Sequence, residues 1–144
     1  GIYEVVFDNT NKKDEAYYNN TNQSFAFADG VVTASYGSAT ANALADVTNE
    51  DDSITLGLKS KHKEIIKQQA SSLLTANDWY VIKATDVESY SVPSAITTYR
   101  ANVRTKSNDM EVLIDACSTV DELAALYVYT DGTRPLGEFP TLEI

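Results

Sequence analysis

The N-terminal third of the chain carries short apolar runs that are typical of β-strands. Residues 2–7 are rich in β-branched and aromatic side chains, which favour a strand. Two further runs, residues 24–28 and 31–36, are separated only by Asp29 and Gly30. This pair favours a type I′ turn, because both central positions of that turn need positive φ. The pattern therefore predicts an antiparallel hairpin around Asp29 and Gly30.

The spacing of apolar residues changes to three, four and seven from about residue 50, which predicts a long helix that ends near Leu74. Gly57 would lie inside this helix, at a cost of roughly 1 kcal/mol relative to Ala. Candidate N-caps are Asn49, Asp51, Asp52 and Ser53. The predicted apolar stripe consists of Ile54, Leu58, Ile65, Ile66, Leu73 and Leu74, with His62 on the same side.

Three start signals predict further helical elements. A short second element begins at Trp79, after a break at residues 75–78. Pro93 marks the first turn of a third helix, where its missing N–H costs nothing. Thr119 and Glu122 form a capping-box pattern, which opens a last short helix.

These patterns divide the chain into three predicted parts. Residues 1–48 form a β-rich attachment region, in which residues 8–24 are loop-forming and residues 37–49 are a linker or a further strand edge. Residues 49–127 form a helical subdomain of three to four helices. Residues 128–144 contain Gly and Pro at intervals and predict an extended C-terminal arm. The predicted fold class is α+β, with an antiparallel β region followed by helices.

Charge and composition narrow the classes of partner. The formal net charge is −10, which disfavours contact with the phosphates of nucleic acid. No apolar run approaches the roughly 18 residues that a membrane span needs, so no membrane partner is expected. The first residues also lack a signal-peptide pattern. The only cysteine, Cys117, cannot form an internal disulfide, which fits synthesis in a reducing cytoplasm.

Candidate catalytic chemistry is sparse. Serine or cysteine nucleophiles usually need a histidine, and the only one, His62, lies on a Lys-rich helix that favours a surface or core-edge role. Cys117 fits a small apolar position near a helix end. Neither a zinc-ligand spacing nor a Gly-rich phosphate loop is present, so we expect no cofactor, no metal and no enzymatic activity. A hydrolase with two carboxylates is the enzymatic alternative, because acids are abundant.

Two charged groups have simple structural interpretations. The densest acidic group, residues 50–52, lies at the predicted helix start, where anions favour the helix dipole. The lysines of residues 59–67 are interpreted as a solvated helix face, with an acidic partner or a phosphate as the alternative.

Aromatic residues in extended segments are the candidates for a protein interface. Tyrosine offers a large contact area with a polar tip and is enriched at interfaces. Core packing is the alternative for several of the nine tyrosines. The candidate interface residues are Tyr17, Tyr18, Phe25, Phe27, Tyr127 and Tyr129.

One stretch resembles a known family. Residues 73–81 read Leu-Leu-Thr-Ala-Asn-Asp-Trp-Tyr-Val, which is similar to the LL-x-x-T-D-W signature of phage tail-fibre assembly proteins and related virion proteins. In that group a proline, a short gap and Y-R-x-x-L-R follow. Here Pro93 is followed by Tyr-Arg-Ala-Asn-Val-Arg at residues 99–104. The resemblance covers about residues 55–126.

Two positions depart from that pattern, with Asn77 in place of Thr and Val103 in place of the final Leu. Residues 79–83 and 134–137 look most like small structural proteins of phages that infect cyanobacteria. The β-rich N-terminal region lies outside the resemblance. It would be the variable, partner-specific part of such a protein.

A physical account of the motif assigns structural roles to Asp78, Trp79, Pro93, Tyr99, Arg100 and Arg104. Asp78 would cap the second helical element. Trp79 would fill the corner between the long helix and the third helix, with Tyr99 against its ring. Arg100 and Arg104 lie one turn apart and would pair with acids such as Asp78 or Asp86, which would fix the helix packing.

The resemblance implies a non-enzymatic structural component of a tailed-phage virion, in the tail, a tail fibre or the neck. Its partners would be other virion proteins, and several symmetric copies are expected. It would be made in the cytoplasm of the bacterial host and reside in the virion. The alternative is a tail-fibre assembly chaperone that leaves before the particle is mature.

Overall fold

The computed structural model describes residues 1–21 and 23–143. It contains two compact units, which meet in the sequence between Leu44 and Ala45. The predicted boundary lay four residues later, after residue 48. Asn22, in the predicted loop, and Ile144, at the end of the predicted arm, lie outside the described residues. The α+β class is confirmed, with small sheets in the N-terminal part and helices in the C-terminal part.

The first unit is built from short strands. They are β1 (Glu4–Asp8), β2 (Tyr18–Asn19), β3 (Ser24–Ala28), β4 (Val31–Ser35) and β5 (Thr40–Ala41). The strands β3 and β4 form the predicted antiparallel hairpin, with Ala28 opposite Val31. Asp29 and Gly30 have φ values of 52° and 81°, as a type I′ turn requires. The hairpin prediction is therefore confirmed.

The hairpin belongs to a three-stranded sheet of order β1-β4-β3. The first strand pairs with β4 in parallel, with Val5 beside Val32 and Phe7 beside Ala34. The sequence predicted the strand but not this parallel partner, which is distant in the chain. A second small sheet joins β2 to β5 in antiparallel pairing. The segment after residue 37 is thus partly a strand, one of the two outcomes that the sequence left open.

The second unit begins with a hairpin of β6 (Val47–Thr48) and β7 (Ile54–Thr55). The helices that follow are α1 (Leu58–Thr75), α2 (Asp78–Asp86), α3 (Ser94–Ala116) and α4 (Val120–Ala125). The prediction of a helix from about residue 50 is wrong at its start. The carboxylate of Asp51 accepts hydrogen bonds from Ser53 N and Oγ at 3.1 and 2.6 Å, which closes a turn instead. Gly57 is the N-cap of α1 and not an interior residue.

The core of the second unit lies where α1 packs against α3. Its fully buried side chains are Ile66, Val103, Met110, Ile114, Leu123 and Leu136. Leu136 belongs to the predicted C-terminal arm. The segment was predicted to be an extended arm, but its Phe139 and Leu142 pack against Ala70, Tyr99 and Val103. The arm is therefore part of the second unit.

Two predicted helix starts are confirmed. Pro93 is the N-cap of α3, with φ −53°. The capping box opens α4, since Thr119 Oγ1 accepts from Glu122 N at 3.1 Å and Glu122 Oε2 accepts from Thr119 N at 3.3 Å. Among the described residues, no helix has both the length and the apolar character that crossing a bilayer requires.

Candidate protein-binding surface

One face of the three-stranded sheet in the first unit is entirely apolar. Side chains alternate between faces along a strand, and register partners share a face. Val5 and Phe7 of β1 therefore lie on the same side as Val32 and Ala34 of β4, and as their β3 partners. We call this surface the apolar face; its residues are Tyr3, Val5, Phe7, Phe25, Phe27, Val32 and Ala34.

The large side chains of the apolar face are exposed. Tyr3, Val5, Phe7, Phe25 and Phe27 keep between 51% and 67% of their surface open to solvent. With about 200 Å² for a whole aromatic side chain, the four rings alone expose roughly 500 Å². A typical monomer has a largest apolar patch of about 300–600 Å², and such patches mark interaction sites. This area comes from a unit of only 44 residues.

The apolar face has larger side chains on its outer strands than on its middle strand. The outer strands β1 and β3 carry the phenylalanines, whereas β4 between them carries the smaller Val32 and Ala34. Tyr3 reaches across to Phe27, with ring centroids 4.8 Å apart and an edge-to-face angle of 63°. Such pairs are favourable beyond the area they bury, so this contact holds one end of the surface in place.

The opposite face of the same sheet carries polar residues at the ends of its strands. Glu4 and Asp8 of β1 point to that side, and Ser24 and Ser35 share a hydrogen bond there, with their Oγ atoms 3.1 Å apart. Asp8 accepts from the Thr10 side chain and backbone, which lowers the pKa of its carboxyl group. The sheet therefore has one apolar side and one side with the features of a solvated surface.

The predicted interface tyrosines of the first unit are more enclosed than the phenylalanines. Tyr17 and Tyr18 are half-buried at the start of β2. Burial raises the pKa of the Tyr17 hydroxyl, and the Lys13 ammonium lies 4.2 Å from the centre of the Tyr18 ring. Phe25 and Phe27 are the named interface candidates that lie on the apolar face.

Sequence reasoning missed Tyr3, Val5 and Phe7 as members of this surface. Their alternation along residues 3–7 was the available signal. Alternation alone does not say which strand lies beside β1, and only the parallel register with β4 places Phe7 and Phe25 on one face.

The motif residues lie in the second unit and join its helices. The Arg100 guanidinium donates through Nη2 to Asp78 Oδ1 at 2.8 Å and through Nη1 to the Leu74 carbonyl at 2.7 Å. It thus links α3 to the end of α1 and to the first turn of α2. Arg104 donates instead to the Arg100 carbonyl, at 3.3 Å.

The expected cap on α2 is shifted by one residue. The N-cap position belongs to Asn77, a buried residue whose amide donates to the Leu73 carbonyl at 3.0 Å. Asp78 occupies the first helical position, where its negative charge favours the helix dipole.

The expected position of Trp79 is wrong. Its side chain is 52% exposed and lies against Tyr80, with ring centroids 3.8 Å apart. Tyr99 is buried against Ala70 and Val103 and not against Trp79. The physical reason is that every residue of α2 is exposed or half-buried, so the helix offers no enclosed corner for the indole.

The histidine and the lysines of α1 have structural partners. His62 is half-buried, and its Nδ1 shares a 2.7 Å hydrogen bond with the hydroxyl of Tyr127. Burial lowers the pKa of this imidazole. Lys63 forms an ion pair with Asp115 at 2.8 Å, and Lys67 forms one with Glu111 at 3.3 Å. These lysines of α1 therefore connect α1 to α3.

A polar cluster surrounds the two predicted interface tyrosines of the second unit. Arg134 holds Glu138 through two nitrogens, at 2.8 and 3.1 Å. Its guanidinium also lies 5.6 and 5.5 Å from the ring centres of Tyr127 and Tyr129. The Tyr129 hydroxyl donates to Glu138 at 2.5 Å, and this hydrogen bond is the largest cause of the raised pKa of Tyr129.

The remaining candidates for chemistry are dispersed. Cys117 is buried at the end of α3, where burial raises the pKa of its thiol and its Sγ donates to the Leu113 carbonyl. Within residues 1–21 and 23–143, His, Cys, Asp and Glu form no group of three that could hold a metal ion.

Comparisons with protein-family models, with curated proteins and with solved structures find no match to this chain. The apolar face of the first unit is the largest group of exposed apolar side chains described above. It defines a candidate surface for binding another protein.

Proposed function

We propose that the chain is a non-enzymatic structural component of a tailed-phage virion, and that it binds other proteins through its apolar face. The observation that carries the proposal is the exposure of Tyr3, Val5, Phe7, Phe25 and Phe27 on one side of a small sheet.

Open apolar surface of this size is unfavourable in water. At about 25 cal/mol per Å², burying roughly 500 Å² contributes on the order of 12 kcal/mol, before the losses of association are subtracted. Only the surplus over those losses appears as binding free energy for a partner protein. Binding by shape and apolar contact is the property that a structural component needs.

The virion assignment is supported by the resemblance of residues 73–81 and 99–104 to tail-fibre assembly and virion proteins. In such a particle the partners are other tail, fibre or neck proteins. The protein would be made in the host cytoplasm and retained in the virion. The ion pair of Asp78 and Arg100, within that motif, supports a scaffolding role for the helices.

Quantitative mass spectrometry of purified particles of the phage that encodes this chain tests the assignment. We expect a fixed copy number per particle, in multiples of three, six or twelve for a symmetric position. Absence from mature particles, together with recovery of the chain on isolated fibres, would overturn the proposal in favour of the assembly chaperone.

Cross-linking of the same particles tests the binding surface. Cross-links to neighbouring chains in the particle, a second copy of this chain included, should concentrate near residues 3–7 and 24–28, which carry the apolar face. If they concentrate only on the second unit, the apolar face is not the site of attachment.

A further inference from the structure

We infer that the apolar face binds a second copy of this chain, with the two sheets packed face to face about a two-fold axis. The inference rests on the proposed function, because it names the partner of the same surface. Three properties of that surface support it: the placement of charge, the order of its strands and the area.

The charged residues of the three strands lie on the side opposite the apolar face. This unit has five acids and two lysines, a formal net charge of −3, and the whole chain carries −10. Two copies therefore repel each other wherever charged surface meets. Within β1, β3 and β4, whose residues are all described, the charged Glu4 and Asp8 belong to the opposite face. The apolar face is thus a surface on which two acidic copies can meet without opposing like charges.

The strand order of the apolar face allows a second copy to cover it completely. Rings stand on the outer strands, and the smaller Val32 and Ala34 stand on the middle strand. If two sheets lie about 10 Å apart with their middle strands superposed, each copy covers the rings on both outer strands of the other. A two-fold axis makes both halves of this contact identical, as the commonest homodimer symmetry requires.

The available area approaches the small end of the range for homodimer interfaces. A standard interface buries about 800 Å² on each partner. The four rings supply roughly 500 Å² of this, and Val5 and Val32 add to it. The contact would also complete a two-layer arrangement, in which an exposed sheet gains the apolar layer that small sheets need for stability.

Sedimentation equilibrium of the full chain tests the inference directly. We expect a reversible monomer–dimer equilibrium. Raising the salt concentration from about 0.05 M to about 0.5 M should lower the dissociation constant severalfold, because it screens repulsion between two acidic copies. A monomer at every concentration would overturn the inference. A dimer that weakens as salt rises would also overturn it, since that behaviour indicates paired charges at the contact.

Val5 and Val6 provide a matched pair of variants. They are neighbours on β1, they are exposed by 51% and 44%, and they lie on opposite faces of the sheet. Val5→Asp buries a charge within the apolar contact and should raise the dimer dissociation constant at least tenfold. Val6→Asp adds the same charge to the other face and should leave it within about twofold. Equal effects of the two variants would place the contact elsewhere.

Dilution of the unmodified protein locates the contact without any substitution. In amide and methyl NMR spectra, the signals of Val5, Phe25 and Phe27 should shift between dimer and monomer, whereas those of Val6 and Ala26 should change little. Shifts confined to the second unit would contradict the inference. Its failure is distinguishable from failure of the proposed function, since a monomer can still appear in particles and cross-link there to a different virion protein.

Discussion

The carboxylate of Asp78 accepts a 2.8 Å hydrogen bond from Arg100, whose side chain is 12% exposed. The same guanidinium donates to the Leu74 carbonyl. One planar fork therefore satisfies a backbone acceptor at the end of α1 and an acid in the first turn of α2. Lysine cannot serve both acceptors with the same geometry, because its ammonium is a single point of donation.

Replacing this fork should weaken the second unit. Arg100→Lys is expected to lower the free energy of unfolding by about 1–2 kcal/mol, since one of the two charge-assisted hydrogen bonds is lost. Arg104→Lys is the matched control on the next turn of α3. Its side chain is exposed, and we expect a change within about 0.5 kcal/mol. Urea unfolding followed by helical circular dichroism measures both, and equal losses would contradict the assigned role of Arg100.

The turn of the β3–β4 hairpin should depend on its glycine. Gly30 has φ +81°, and a Cβ there would meet nothing within 4 Å, so any penalty comes from the backbone conformation. Gly30→Ala should cost about 1–2 kcal/mol of hairpin stability. Gly30→Asn should recover part of that loss, because Asn tolerates the left-handed region better. Thermal unfolding followed by the circular dichroism signal of the β-strands measures both variants. Identical melting temperatures of the two would argue against the type I′ turn.

His62 should make the stability of the second unit depend on pH near neutrality. Burial lowers the pKa of the folded-state imidazole, so the unfolded chain binds the proton more readily. Stability should therefore be complete above the unfolded-state pKa of about 6.5 and should fall as the pH drops below it. As the only histidine, it titrates in a window separate from that of the lowered carboxyl groups of Asp8, Asp46 and Asp51.

Two variants isolate this effect. His62→Gln should flatten the stability curve between about pH 5.5 and about pH 7.5, because no group with an ordinary pKa in that range remains on a side chain. Tyr127→Phe removes the 2.7 Å hydrogen bond to Nδ1 but keeps the burial. This variant should lower the free energy of unfolding, but that free energy should still fall as the pH drops. A steep slope that survives in His62→Gln would assign the pH dependence to other groups.

Trp79 offers a spectroscopic test of its exposed position. As the only tryptophan, it should give a red-shifted emission that acrylamide quenches readily in the native protein. Trp79→Phe should change stability little, since the residue lies on the surface of α2 against Tyr80. A blue-shifted emission that is protected from quencher would instead favour the enclosed corner that the sequence had suggested.

Local patterns in the sequence were sufficient where the interactions are local. The turn at Asp29 and Gly30 and the capping box of Thr119 and Glu122 each depend on residues within four positions of each other. The start of α1 shows where a local pattern misled. The apolar stripe continued back to Ile54, but the turn hydrogen bonds of Asp51 stopped the helix, and Gly57 became its cap.

The sequence by itself determined the α+β order, the hairpin, two helix starts and the acidic charge, because these depend on neighbouring residues and on composition. Only the tertiary structure decided that β1 lies parallel to β4, which gathers Val5, Phe7, Phe25 and Phe27 on one face. It also decided that Trp79 is exposed while Leu136 is buried. Register between distant strands and the side that a helix turns inward are set by long-range packing, and no short window of residues contains that information.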